Sequence, residues 1–120
     1  MRDSADRFGA IPEKGGLLAN PRLEILTQLV ERNPQDSFAR YGLAMEYARQ
    51  GQYEHAMEHF QKLWKVNPDY AAAYYQAGQV LVKAGQVEEA RRIFQKGIEV
   101  TSRLGDRHAK SELEAALEQL

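Results

Sequence analysis

The chain has 120 residues, no cysteine, and 16 Lys and Arg against 17 Asp and Glu, for a formal net charge of −1. That size holds one hydrophobic core, and the lack of cysteine removes disulfides, thiolate metal sites and thiol catalysis. A balanced charge leaves no surplus to neutralise phosphates or to hold an anionic surface, and no run approaches the ~20 apolar residues of a membrane span, so neither nucleic acid nor membrane is expected as a partner.

Residues 1–20 mix Arg2, Asp3, Asp6, Arg7, Glu13 and Lys14 with Gly9, Pro12, Gly15 and Gly16. Glycine and proline break any helical period here, so this stretch reads as a flexible N-terminal tail. It lacks the continuous apolar core of an export signal, which points to the cytoplasm. Asn20-Pro21 then opens a helix over 21–33, with Asn as N-cap, Pro in the first turn, and Leu23, Leu26, Leu29 and Val30 on one face. Asn33-Pro34 ends it. Asp36 caps a second helix that runs to about Gln50 with Leu43, Ala44 and Tyr47 inward, and Gly51 stops it.

A third helix, about Gln52 to Val66, places Tyr53, Ala56, Phe60, Leu63 and Trp64 three and four residues apart, the spacing of one buried stripe. The register of Trp64 with Phe60 and the nearby Tyr70 assigns it to the core. Asn67-Pro68-Asp69 repeats the earlier break, and a fourth helix, about Asp69 to Ala84, turns Tyr74, Ala77, Gly78 and Leu81 inward before Gly85. The fifth, Val87 to about Leu104, buries Ala90, Ile93, Phe94, Ile98 and Thr101. Gly97 inside it costs ~1 kcal/mol relative to alanine, so a close helix contact is expected there. Asp106 caps a sixth helix striped by Ala109, Leu113, Ala116, Leu117 and Leu120, which reads as a lid over 106–120.

The punctuation is periodic. Residues 37–70 set against 71–104 match at Ala39/Ala73, Tyr41/Tyr75, Gly51/Gly85, Gln52/Gln86, Glu54/Glu88, Ala56/Ala90, Phe60/Phe94, Gln61/Gln95, Lys62/Lys96 and Val66/Val100. A repeated hairpin of 34 residues cannot bury its apolar face alone, and about three units are needed to close a core. The flanking helices supply the missing partners.

Within each block the residues Arg40, Leu43, Ala44, Tyr47, Ala56, Phe60 and Pro68, then Tyr74, Ala77, Gly78, Leu81, Ala90 and Phe94 with Ser102 in place of proline, resemble the tetratricopeptide repeat. The resemblance implies an all-α fold, a right-handed superhelical stack of about six helices in antiparallel hairpins. It divides residues 21–120 into a half-repeat at 21–33, repeats at 37–70 and 71–104, and a capping helix. It also implies that the first helix of each hairpin lines a concave groove that binds peptides or partner helices. The positions carried over are Phe38, Tyr41, Met45, Ala48 and Arg49 from one repeat and Ala72, Tyr75, Gln79, Val82 and Lys83 from the next.

One version of that groove clamps the terminal carboxylate of chaperone tails with lysine, asparagine and arginine. Those places here hold Tyr41, Met45, Gln76, Asp106 and Lys110, and Asp106 repels an anion, so no chaperone carboxylate clamp is expected. His55-Ala56-Met57-Glu58-His59 spells H-x-x-E-H, a zinc peptidase signature that would make the chain a zinc-dependent hydrolase. With Ala56 and Phe60 inward, however, both histidines are expected on the convex solvent face, and only His108 or scattered carboxylates remain as a third ligand.

The leading expectation is therefore a non-catalytic adaptor with no cofactor and no metal, holding a peptide or partner helix in its groove. The alternative is a self-assembling homo-oligomer in which Phe8, Ile11, Leu17 and Leu18 carry the tail into its own groove or a neighbour's.

Overall fold

A computed structural model describes residues 20–120. The described chain is six α-helices without a strand: α1 (Pro21–Arg32), α2 (Ser37–Arg49), α3 (Tyr53–Val66), α4 (Ala71–Lys83), α5 (Val87–Leu104) and α6 (Arg107–Glu118). Each helix packs on its chain neighbour, and α2 also meets α4 while α4 meets α6, so the hairpins stack in chain order. The expected tail lies outside the described residues except for Asn20.

Local chemistry sets the helix ends. Side-chain oxygens of Asn20, Asp36 and Asp106 each accept a backbone N–H three residues on, from Leu23, Ala39 and Ala109, at 3.0 Å. These bonds satisfy donors that the first helical turn leaves free. At the other end of α2 and α4, Gly51 and Gly85 take φ of +79° and +80°, and the following amides reach back from Gln52 to Tyr47 O and from Gln86 to Leu81 O at 2.9 and 2.8 Å. The glycines make that left-handed reversal cheap.

The start of α4 differs from expectation. It begins at Ala71 rather than Asp69, and its N-cap Tyr70 makes no side-chain capping bond. Tyr70 occupies the position that Asp36 holds one repeat earlier, and its ring packs on Tyr41 with centroids 5.1 Å apart. Asp69 instead pairs with Arg103 across the repeat, Oδ2 accepting from Nη1 at 3.3 Å.

The core runs through the stack in three connected groups. Val30, Ala39 and Leu43 join α1 to α2. Ala44, Ala56, Phe60, Leu63, Ala73, Ala77 and Val80 join α2, α3 and α4. Tyr74, Leu81, Ala90, Phe94, Val100, Leu113 and Ala116 join α4, α5 and α6. Met57, Trp64 and Ile93 touch both of the larger groups, which confirms Trp64 as packed between repeats. Small residues set the helix separations. A Cβ on Gly97 would lie 2.6 Å from Tyr74 Cβ and one on Gly78 only 2.1 Å from Phe94 Cε1, both far inside van der Waals contact. The close contact expected at Gly97 is therefore real. Leu29 is a correction: expected on the inner face of α1, it is 41% exposed, and Val30 is the buried residue of that helix.

Candidate functional site

A cavity of about 1000 Å³ opens on one side of the stack, walled by α1, α2 and α4 and floored in part by Tyr53 of α3. Among the groove positions carried over from the resemblance, Phe38, Tyr41, Met45, Ala48, Arg49, Gln79 and Lys83 line it. Ala72, Tyr75 and Val82 do not. Tyr75 and Val82 pack instead against the group around Phe94, with the Tyr75 and Phe94 ring centroids 6.4 Å apart, the counterpart within the second hairpin of the Tyr41–Phe60 contact in the first.

The wall contains residues the groove assignment omitted: Arg22, Ile25 and Leu26 from α1, then Gly42, Glu46, Gln76 and Val80. Helix α1 contributes because it lies against α2, with Leu26 filling the space beside Gly42, where a Cβ would be 3.0 Å from Leu26 Cδ2. Phe38 is 77% exposed, the most open large apolar side chain described. Tyr41 is different. It lies edge-on to Phe60 at 6.3 Å and against Tyr70, and burial, with the neighbouring Tyr70 phenol, raises its pKa. It belongs half to the core and half to the groove.

Glu46 organises the charged end. Its side chain is only 2% exposed, yet it gathers Arg22 Nε at 3.3 Å, Asn20 Nδ2 at 3.1 Å, and Arg49 through Nε at 3.3 Å and Nη2. The Arg49 hydrogen bond, opposed by burial and helped by Asn20 and the two guanidinium charges, holds the Glu46 carboxyl below its ordinary value. The arginines remain 77% and 67% exposed, so one buried anion anchors two cations that face the groove. Glu46 was legible in principle. Its repeat counterpart is Val80, an inward apolar position, so an acid there must be buried and partnered.

The His55-Glu58-His59 motif is arranged otherwise than expected. His55 is exposed, but His59 is half-buried, and both rings stack on Tyr47 at 5.0 and 5.5 Å. Arg40 Nη1 lies 3.1 Å from His59 Nδ1. Guanidinium nitrogens only donate, so Nδ1 accepts and the neutral ring carries its proton on Nε2, which leaves no lone pair for a metal. Burial first, then the Arg40 charge, lowers the His59 pKa. His59 therefore packs against Arg40 and Tyr47 rather than facing solvent. Among the described residues no group of three or more His, Cys, Asp or Glu side chains could hold a metal ion.

At the positions of the chaperone clamp, Tyr41, Met45 and Gln76 line the cavity, whereas Asp106 is occupied in capping α6 and Lys110 lies on that helix outside the wall. No described helix is long and apolar enough to cross a membrane. The docking of the tail through Phe8, Ile11, Leu17 and Leu18 concerns residues outside the described range.

Comparison with known proteins agrees with this architecture. The tetratricopeptide repeat profile matches residues 47–120, and a second profile of the same description matches 23–63. A TPR repeat-containing protein of Pseudomonas aeruginosa is 28% identical over 98 residues, covering 82% of this chain and 93% of that protein. The crystal structure of a tetratricopeptide repeat domain protein from Salinibacter ruber is 31% identical with a TM-score of 0.64, over 70% of this chain and 93% of its own. The Type III secretion translocator chaperone of Yersinia enterocolitica shares the fold at 17% identity, with a TM-score of 0.74 over 81% of this chain and 68% of its own. With six stacked helices, a 34-residue period and a profile spanning more than half its length, the chain belongs to the tetratricopeptide repeat family.

Proposed function

We propose that this protein is a non-catalytic interaction module that holds a segment of another protein in the groove between α1, α2 and α4. The observation that carries this reading is the groove itself: about 1000 Å³ of space whose wall includes a 77% exposed phenylalanine beside Tyr41, Met45 and Ala48. An exposed apolar surface of this kind costs solubility and is a mark of binding sites. Its curved wall suits an extended or helical segment with apolar anchors. The Yersinia protein that shares the fold is named a translocator chaperone.

The test is capture from native lysate after photo-crosslinking, comparing the natural chain with Phe38→Glu and Met45→Glu, each verified as helical by circular dichroism. Phe38 is the better probe because so little of it is packed. The expected outcome is that the same partner disappears from both variants. An unchanged set of partners in two folded variants would sink the groove reading.

A second reading, self-association, is favoured by Ile25 at 57% and Leu29 at 41% exposure, one helical turn apart on α1. Sedimentation velocity over a concentration series decides it: Ile25→Lys with Leu29→Lys converts a dimer to a monomer if this face pairs, and leaves the sedimentation coefficient unchanged if it does not.

A further inference from the structure

The groove carries a charge bias opposite to that of the chain as a whole. Among the described residues its wall holds Arg22, Arg49 and Lys83 against a single acid, Glu46, whereas the chain has net charge −1. Glu46 is 2% exposed, so it faces the two arginines and not an incoming ligand. Its two oxygens engage Nε of Arg22 and Nε and Nη2 of Arg49. A guanidinium has five N–H donors, so these bonds leave donors on both arginines, whose side chains are 77% and 67% exposed while the buried carboxylate anchors them. Restraint of this kind lowers the ordering cost of binding an anion. The apolar lining contributes no counter-charge.

Resting on the interaction-module reading above, we infer that the segment this groove accepts is an acidic one: an apolar anchor set over Phe38 and Met45, flanked by aspartate or glutamate side chains that meet Arg22, Arg49 and Lys83. Charge complementarity of this sort suppresses wrong partners and speeds encounter more than it adds affinity. The site shares Tyr41, Met45 and Gln76 with the positions of a terminal-carboxylate clamp, but its cations are Arg22 of α1, Arg49 and Lys83 rather than Lys110.

The probe is a phage-displayed library of random dodecapeptides selected on the full chain, with enriched peptides synthesised and their affinities measured by fluorescence anisotropy. Enriched peptides are expected to combine an aromatic or aliphatic residue with at least two acids. Their affinity should fall about 5- to 20-fold in Arg22→Gln/Lys83→Gln, two exposed side chains whose loss leaves the Glu46–Arg49 pair in place, and fall similarly as salt rises from about 50 to 500 mM. Phe38→Ser should remove binding altogether. Enrichment of neutral or basic peptides, or affinity indifferent to the double substitution, overturns the acidic preference while leaving the groove reading intact if Phe38→Ser still abolishes binding. Peptides that bind equally well to Phe38→Ser, or no enrichment at all, overturn both.

Discussion

The two repeats solve the same problem with different chemistry. Arg40 and Tyr74 stand 34 residues apart at one repeat position, and each reaches back to the carbonyl of the proline six residues before it: Arg40 Nη2 to Pro34 O at 3.4 Å, Tyr74 Oη to Pro68 O at 2.6 Å. Around Arg40 the first repeat builds a polar and aromatic sandwich, with His59 on the guanidinium and Tyr47 under both histidines. Around Tyr74 the second builds an apolar interlock, with Trp64 stacked at 4.7 Å and Gly97 admitting the tyrosine. His59 is replaced by Ile93, and Leu63 by Gly97. What persists is therefore the place a side chain must fill and the backbone group it must satisfy, not the residue type.

The comparison can be broken at several points. The largest effect belongs to the equivalent rings Phe60 and Phe94, both fully buried. Alanine at either should cost ~3–5 kcal/mol by urea denaturation, and costs differing by more than ~2 kcal/mol would show that one hairpin carries the stack. Next comes Gly97→Ala. Alanine is the better helix former, yet its Cβ would meet Tyr74 Cβ at 2.6 Å, so crowding should destabilise by ~1–3 kcal/mol. A gain in stability would mean that the second repeat is not interlocked. Tyr74→Phe keeps the ring and deletes the bond to Pro68 O, for an expected loss of ~0.5–1.5 kcal/mol in the same assay.

Of the equivalent residues His59 and Ile93, only the first-repeat histidine titrates. The unfolded imidazole ionises near 6.5 and the folded His59 ring lower, so as pH falls the unfolded chain takes the proton first. Stability is then full above about 6.5 and declines as pH passes from there down through the folded value. His59→Ile, which copies the second repeat, should flatten that limb of a plot of melting temperature against pH. The Glu46 contribution, present above its ordinary value of 4.5 and lost below it, should remain. A variant that keeps the natural slope would remove His59 from this role. The smallest effect is expected for the exposed pair between Asp69 and Arg103, where Asp69→Asn should leave the melting temperature unchanged within error.

Features set by near neighbours in sequence were readable without coordinates. Asn20, Asp36 and Asp106 as caps, Gly51 and Gly85 as stops, and the extension of α5 past Ser102 all follow from rules acting within one helical turn. The start of α4 was not, because Asp69 has the right chemistry one residue too early and is claimed by Arg103 from the next repeat. The groove was half legible. Facing positions on α2 followed from the family resemblance, but the packing of Tyr75 and Val82 against the Phe94 group, and the entry of α1 through Arg22, Ile25 and Leu26, depend on contacts between helices rather than on rules acting within one. Burial of His59 depends on Arg40 filling a position that is aromatic one repeat later, a pairing visible only across 19 residues of chain.

The chain's single tryptophan sits where the two hairpins meet, stacked on Phe60 of one and Tyr74 of the other, with a buried Nε1 that has no acceptor among the described residues. Trp64 is thus a native optical gauge of the seam. Its emission should redden when the hairpins part, even if each remains helical, whereas ellipticity reports only the loss of helix. Recorded together during melting, two superimposed curves would describe an array that dissolves as one unit, and a tryptophan transition that comes first would reveal the seam as the joint along which this protein opens.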